Sequence, residues 1–124
     1  MTATPPKRRI LVVDDEPLVR QFVSTVLRRE GWSVLEAANA IAALAMADGD
    51  FPDLLVTDYE MPSVTGMSLA QRLREVDEEL PVLMVSGHPD VARRVRSLRG
   101  SHTAFARKPF GAEELVSSIG SIVD

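Results

Sequence analysis

Ile10-Leu11-Val12-Val13-Asp14-Asp15 is an apolar run stopped by two carboxylates. The form recurs. Leu54-Leu55-Val56-Thr57 runs into Asp58, and Thr103-Ala104-Phe105-Ala106-Arg107 runs into Lys108. Short apolar runs of this kind read as buried parallel strands. Laid side by side, such strands bring all four charges to one sheet edge, the edge where open α/β sheets bind their ligands. Carboxylates about 4 Å apart repel by roughly 4 kcal/mol per pair at an effective dielectric near 20. Lys108 alone does not neutralise three of them. The pattern calls for a divalent cation and an anion at one site.

Working outward, the remaining segments alternate strand and helix. Pro5-Pro6 blocks regular structure, so residues 1–8 read as a flexible lead-in and 9–124 as the domain. The first strand covers about 9–13. A helix then starts near Pro17, with Leu18, Phe22, Val23, Val26 and Leu27 as its apolar stripe, and closes at Glu30-Gly31. A second strand covers 33–37. Asn39 caps a second helix that directs Ile41, Leu44 and Ala45 inward and ends near Asp48-Gly49. The third strand covers 53–57, and a third helix runs from about 66 to 77 on Leu69, Ala70, Leu73 and Val76. The fourth strand is 81–85. A short, weak fourth helix follows over about 90–99, carried by Val91, Val95 and Leu98. The fifth strand is 103–107. The last helix starts after Gly111, with Glu113 and Glu114 favourable in its first turn and Leu115, Val116, Ile119, Ile122 and Val123 facing the core. Five alternations predict an α/β parallel sheet with helices on both faces and right-handed crossovers.

The totals fit one domain. The chain has 124 residues, 45% hydrophobic and 26% charged, with a net charge of -4. That balance argues against general binding to nucleic acid. There is no cysteine, which excludes disulfides, thiolate metal sites and cysteine nucleophiles. No apolar stretch reaches the length of a membrane span or a signal peptide, so a cytoplasmic location is the default expectation.

With Ser86 ending the fourth strand, the residues Asp14-Asp15, Asp58, Ser86 and Lys108-Pro109 complete a set. In these residues the chain resembles the receiver domain of two-component response regulators, over essentially residues 8–123. The resemblance implies a flavodoxin-like, doubly wound five-stranded sheet in the order 2-1-3-4-5 with five helices. It implies a phosphorylation-activated signalling module of a phosphorelay, not a turnover enzyme. A sensor histidine kinase or histidine phosphotransfer protein would donate a phosphoryl group to Asp58, the phosphoacceptor. Asp15, Asp58 and the backbone carbonyl of Glu60 would ligate Mg²⁺, with Asp14 acting largely through bound water. Lys108 would pair with one phosphoryl oxygen and the Ser86 hydroxyl with another. Ser86 and Phe105 would form the switch. Without a tyrosine hydroxyl, Phe105 would act sterically. Lys108-Pro109 would be cis. The output surface would be the helix 4, strand 5, helix 5 face, reading a downstream protein partner, with a homodimer through that face left open.

Taken singly, each of these residues has an ordinary reading. Asp14 and Asp15 are candidate helix caps, Asp58 and Ser86-Gly87 turn formers, Lys108 a solvated charge and Phe105 a core side chain. Five positions in order, each closing a strand, are what the ordinary readings leave unexplained. Glu60 and His88 are less standard. Both sit where a donor would approach, and the negative charge of Glu60 is expected to disfavour small anionic donors. His88 reads as a solvated loop histidine, a partner contact or a modulator of hydrolysis. Arg93, Arg94, Arg96, Arg99 and Arg107 make a basic stretch opposed only by Asp90, either a solvated face or a dock for an acidic partner. A haloacid-dehalogenase-type phosphatase needs a second Asp where Glu60 stands. A flavodoxin-like cofactor site would have phosphate repelled by Asp14-Asp15-Glu16. A receiver-like domain without phosphorylation does not need the acidic set. No output domain follows helix five in this sequence, so both a stand-alone regulator and a receiver from a hybrid histidine kinase are expected forms.

Overall fold

The computed structural model describes residues 8–96, 98 and 102–123. The first seven residues of the expected lead-in, and Arg99, lie outside them. The elements alternate as β1 (Arg9–Val13), α1 (Pro17–Arg29), β2 (Ser33–Ala37), α2 (Ala40–Gly49), β3 (Leu54–Asp58), α3 (Gly66–Val76), β4 (Val82–Ser86), α4 (Val91–Val95), β5 (Thr103–Arg107) and α5 (Ala112–Gly120). The five strands are parallel, in the order β2-β1-β3-β4-β5. This is the flavodoxin-like arrangement.

Period-two alternation divides the central strands between two cores. Leu11, Val13, Leu55, Val82 and Met84 face α2, α3 and α4, where they meet Ala43, Leu69, Leu73 and Val95. Ile10, Val12, Leu54, Val56, Leu83 and Val85 face α1 and α5, meeting Val23, Leu27, Leu115 and Ile119. With β3 and β4 buried along their full length, the sheet is a rigid platform, and the chemistry falls to the residues at its ends.

Helix boundaries follow local chemistry. Pro17 opens α1, and Gly31, in the left-handed region at φ 95°, closes it. The Asn39 side chain accepts from Ala42 N at 2.8 Å, and Thr65 caps α3 through Ser68 N at 3.1 Å. Two helix phases differ from the sequence expectation. In α1 the buried stripe is Val23, Val26 and Leu27, while Leu18 is 80% and Phe22 41% exposed. In α2 the inward residues are Ala40, Ala43 and Ala47; Leu44 is half-buried, and Ile41 and Ala45 are exposed. Ala, Ile, Leu and Met occur on every face of α2, so periodicity does not choose a side. Alanines on the inner face let the helix lie close to the sheet. Val76, at the end of α3, is also exposed. The fourth helix is shorter than expected, Val91–Val95 alone. Among the described residues, no helix is long and apolar enough to cross a membrane.

Candidate phosphoryl-transfer site

The register places the charged residues. Val13 of β1 stands beside Thr57 of β3, so Asp14 and Asp58 are neighbours one step further along. Asp58 stands beside Val85, and Ser86 beside Arg107, which brings Lys108 to the same edge. The Lys108 amide donates to Ser86 O at 2.8 Å, and Lys108-Pro109 is cis. Because β1 and β3 flank the point where strand order reverses, the edge between them is open to a ligand.

Lys108 Nζ lies 3.0 Å from Asp14 Oδ2, 3.0 Å from Glu16 Oε1 and 3.5 Å from Asp58 Oδ1. Asp14 and Asp58 are buried, 2% and 3% exposed. Asp14 Oδ1 accepts from Glu16 N at 2.9 Å. Arg20 Nη1 donates to the Asp14 carbonyl at 2.7 Å, and its Nε lies 3.4 Å from Glu36 Oε1 on β2. The β1–α1 turn is thus tied to both the helix and the neighbouring strand.

Burial dominates the electrostatics. It pushes Asp58 up to about 7; Lys108 opposes the rise, while Asp14 and Glu60 add to it. Burial also raises Asp14, against the bond it accepts from the Glu16 amide and the nearby charge of Lys108. Burial disfavours the charge on Lys108 as well, but Glu16, Asp14 and Asp58 outweigh it and hold the ammonium above its ordinary range. One cation shared among three carboxylates leaves the site short of positive charge.

The residues fit a hard divalent cation. Asp14, Glu16 and Asp58 place carboxylate oxygens within 4.8 Å of one another. The buried Asp14 Oδ2 and Asp58 Oδ1 face the ammonium, yet neither accepts a directed hydrogen bond. An all-oxygen set with room for water suits Mg²⁺.

The expected residues are gathered unequally. Asp14, Asp58 and Lys108 come together. Asp15 is exposed and lines a cleft with Ala38, Asn39, Pro62 and Ser63, apart from the carboxylate group. Ser86 is buried at the same edge, but its hydroxyl donates to the Glu60 carboxylate, 2.6 and 2.7 Å from the two oxygens. Phe105 is half-buried against the core on the α4 side. Glu16 is the residue that sequence reasoning missed. Its signal is its place directly after the acidic pair, where the sequence shows it only as added repulsion.

Comparison with known proteins agrees with this geometry. The response regulator receiver domain family model matches residues 10–120. The probable transcriptional regulatory protein TcrX of Mycobacterium tuberculosis is 34% identical over 114 residues, covering 92% of this chain and 49% of that protein. The response regulator MprA of Mycobacterium avium is 36% identical over 115 residues, covering 93% and 50%. The chain therefore spans about half the length of these curated relatives. Among solved structures, the chemotaxis response regulator CheY4 of Vibrio cholerae superposes with a TM-score of 0.84 at 27% identity, covering 94% of this chain and 99% of that one. The receiver domain of the hybrid histidine kinase CckA gives 0.78 at 30% identity, again covering 94% and 99%. A match over nearly the whole chain, on a sheet whose open edge carries Asp14, Asp58, Ser86 and Lys108, shows that this chain belongs to the receiver domain family of two-component response regulators.

Proposed function

We propose that Asp58 is the phosphoacceptor of a self-modifying signalling module that takes a phosphoryl group from a histidine kinase or a histidine phosphotransfer protein. The observation that carries this reading is Asp58 itself, a buried carboxylate at the open sheet edge with a lysine ammonium 3.5 Å away. The ionised Asp58 oxygen forms a bond to phosphorus as the P–N bond to the donor imidazole breaks. The electron pair leaves on that nitrogen, which takes up a proton. Catalysis of such a transfer is mainly positioning and charge neutralisation.

Asp14, Asp15, Asp58 and the Glu60 backbone carbonyl are the set proposed to hold Mg²⁺. Asp14 and Asp58 already lie together, with Glu16 beside them. When bound, the ion supplies the positive charge that Lys108 alone does not. Lys108 then pairs with a phosphoryl oxygen, Ser86 donates to another, and Phe105 moves against the core behind it. The change is read at the face formed by α4, β5 and α5, where Arg93, Arg94, Arg96 and Arg107 are exposed and suit an acidic protein partner.

The metal requirement is checked by phosphorylating the protein with a small acyl phosphate, with Mg²⁺ or with a chelator. The expected loss on chelation is at least about a hundredfold in rate, on the scale of removing one charge-stabilising contact from a transition state. Equal rates in both buffers exclude a metal role.

A further inference from the structure

Ser86 has one proton to donate. In this structure it is already spent, because the hydroxyl lies 2.6 and 2.7 Å from both oxygens of Glu60. Its oxygen in turn accepts from His88 N at 3.0 Å. Such short, charge-assisted bonds are the stronger kind, and this one spans from the β3–α3 loop to the last residue of β4. While it stands, Ser86 has no proton for a phosphoryl oxygen on Asp58.

We propose that Glu60 is a positioning residue that holds the Ser86 hydroxyl in the resting state, so that phosphorylation must break the Glu60–Ser86 bond before the switch can close. This rests on the reading of Asp58 as phosphoacceptor. A phosphoryl group on Asp58 acts on the bond in two ways. It offers Ser86 a competing anionic acceptor, and it repels the carboxylate of Glu60. The released side chain has somewhere to go. It is 40% exposed, and the exposed His88 ring has its Nε2 4.0 Å from Glu60 Oε1. The bond thus sets how much of the phosphoryl group's interaction energy goes into activation and how much into release.

Glu60 as a bare charge repelling anionic donors is a different device, and the two separate in a double-mutant cycle. The probe is beryllofluoride with Mg²⁺, a phosphoryl mimic that has no leaving group; its dissociation constant is read by calorimetry. Glu60→Gln removes the charge but keeps a carbonyl that accepts from Ser86. Glu60→Ala removes both. The expected result is that Glu60→Ala binds the mimic roughly three- to tenfold more tightly than Glu60→Gln, the scale of one neutral hydrogen bond. In a Ser86→Ala background that contrast shrinks to less than about twofold. Equal affinities of the Ala and Gln variants, or a contrast that survives Ser86→Ala, overturn the proposal. If Ser86→Ala does not fold, the Ala-against-Gln contrast alone decides. A wild-type chain that takes neither the mimic nor a phosphoryl group refutes the functional reading itself, which is a separate outcome read in the wild-type arm.

Discussion

Asp58→Asn is expected to melt at a higher temperature than wild type at pH 8 in metal-free buffer, and at the same temperature at about pH 3. The cause is the cost of a buried charge. Asp58 is pushed up to about 7 in the folded protein, mainly by burial, against about 3.9 in an unfolded chain. Between those values the folded protein binds the extra proton, so stability falls as pH rises through that window and is level beyond it. By about pH 3 both states are largely protonated and the penalty is gone. Three pKa units set a ceiling of about 4 kcal/mol, so a gain on the order of 2–4 kcal/mol is expected at pH 8. That is a rise of roughly 8–15 °C for a domain of this size. Asp14 is raised for the same reason, and because its charge helps to raise Asp58, part of the gain in the variant is relief of that repulsion. Excess Mg²⁺ should narrow the gap by stabilising wild type more than the variant. Thermal melts across pH decide the matter. A variant no more stable than wild type at pH 8, or a gap independent of pH, contradicts this account of the site.

Gly66→Ala is expected to damage fold and site together. Gly66 is buried at the start of α3, and a Cβ there would lie 2.1 Å from the Asp58 carbonyl oxygen, 2.9 Å from its carbon and 3.1 Å from Met84 Sδ. The first two are backbone atoms, and the same oxygen accepts from Thr57 Oγ1 at 3.0 Å, so there is no flexible group to give way. Forced overpacking of this kind costs about 3 kcal/mol. The accommodation must also move Asp58. Since a misplacement of about 1 Å can cost a hundredfold in rate, phosphorylation should fall at least about tenfold per folded molecule. Gly120→Ala is the control, because nothing lies within 4 Å of its Cβ position. Denaturant melts combined with phosphorylation rates measure both effects. A Gly66→Ala protein within about 1 °C of wild type removes the packing argument.

The strands were legible because a parallel strand covered on both faces must be apolar throughout, and the charged residue that ends the run marks the sheet edge. That logic brings Asp14, Asp58 and Lys108 together from the sequence alone. The order of the strands came from the family resemblance, since nothing in an isolated run names its neighbour. Helix phase was less legible. Leu18, Phe22, Ile41 and Val76 keep helical spacing yet lie exposed, because those helices carry more apolar residues than their buried faces hold. Within the site, adjacent residues of an extended turn diverge, so Asp14 enters the carboxylate group and Asp15 does not. The pairing of Glu16 with Lys108 and of Glu60 with Ser86 depends on how loop side chains turn. No sequence period encodes those rotations. A residue such as Glu60 therefore reads as a local charge in the sequence and as a hydrogen-bond acceptor in the fold.

The most direct measurement is intact mass after incubation with Mg²⁺ and a small acyl phosphate, for wild type beside Asp58→Ala. Wild type should gain the mass of one phosphoryl group, and Asp58→Ala should gain none. Equal labelling of the two proteins would place the acceptor elsewhere and contradict the account, as would a wild-type protein that stays unlabelled.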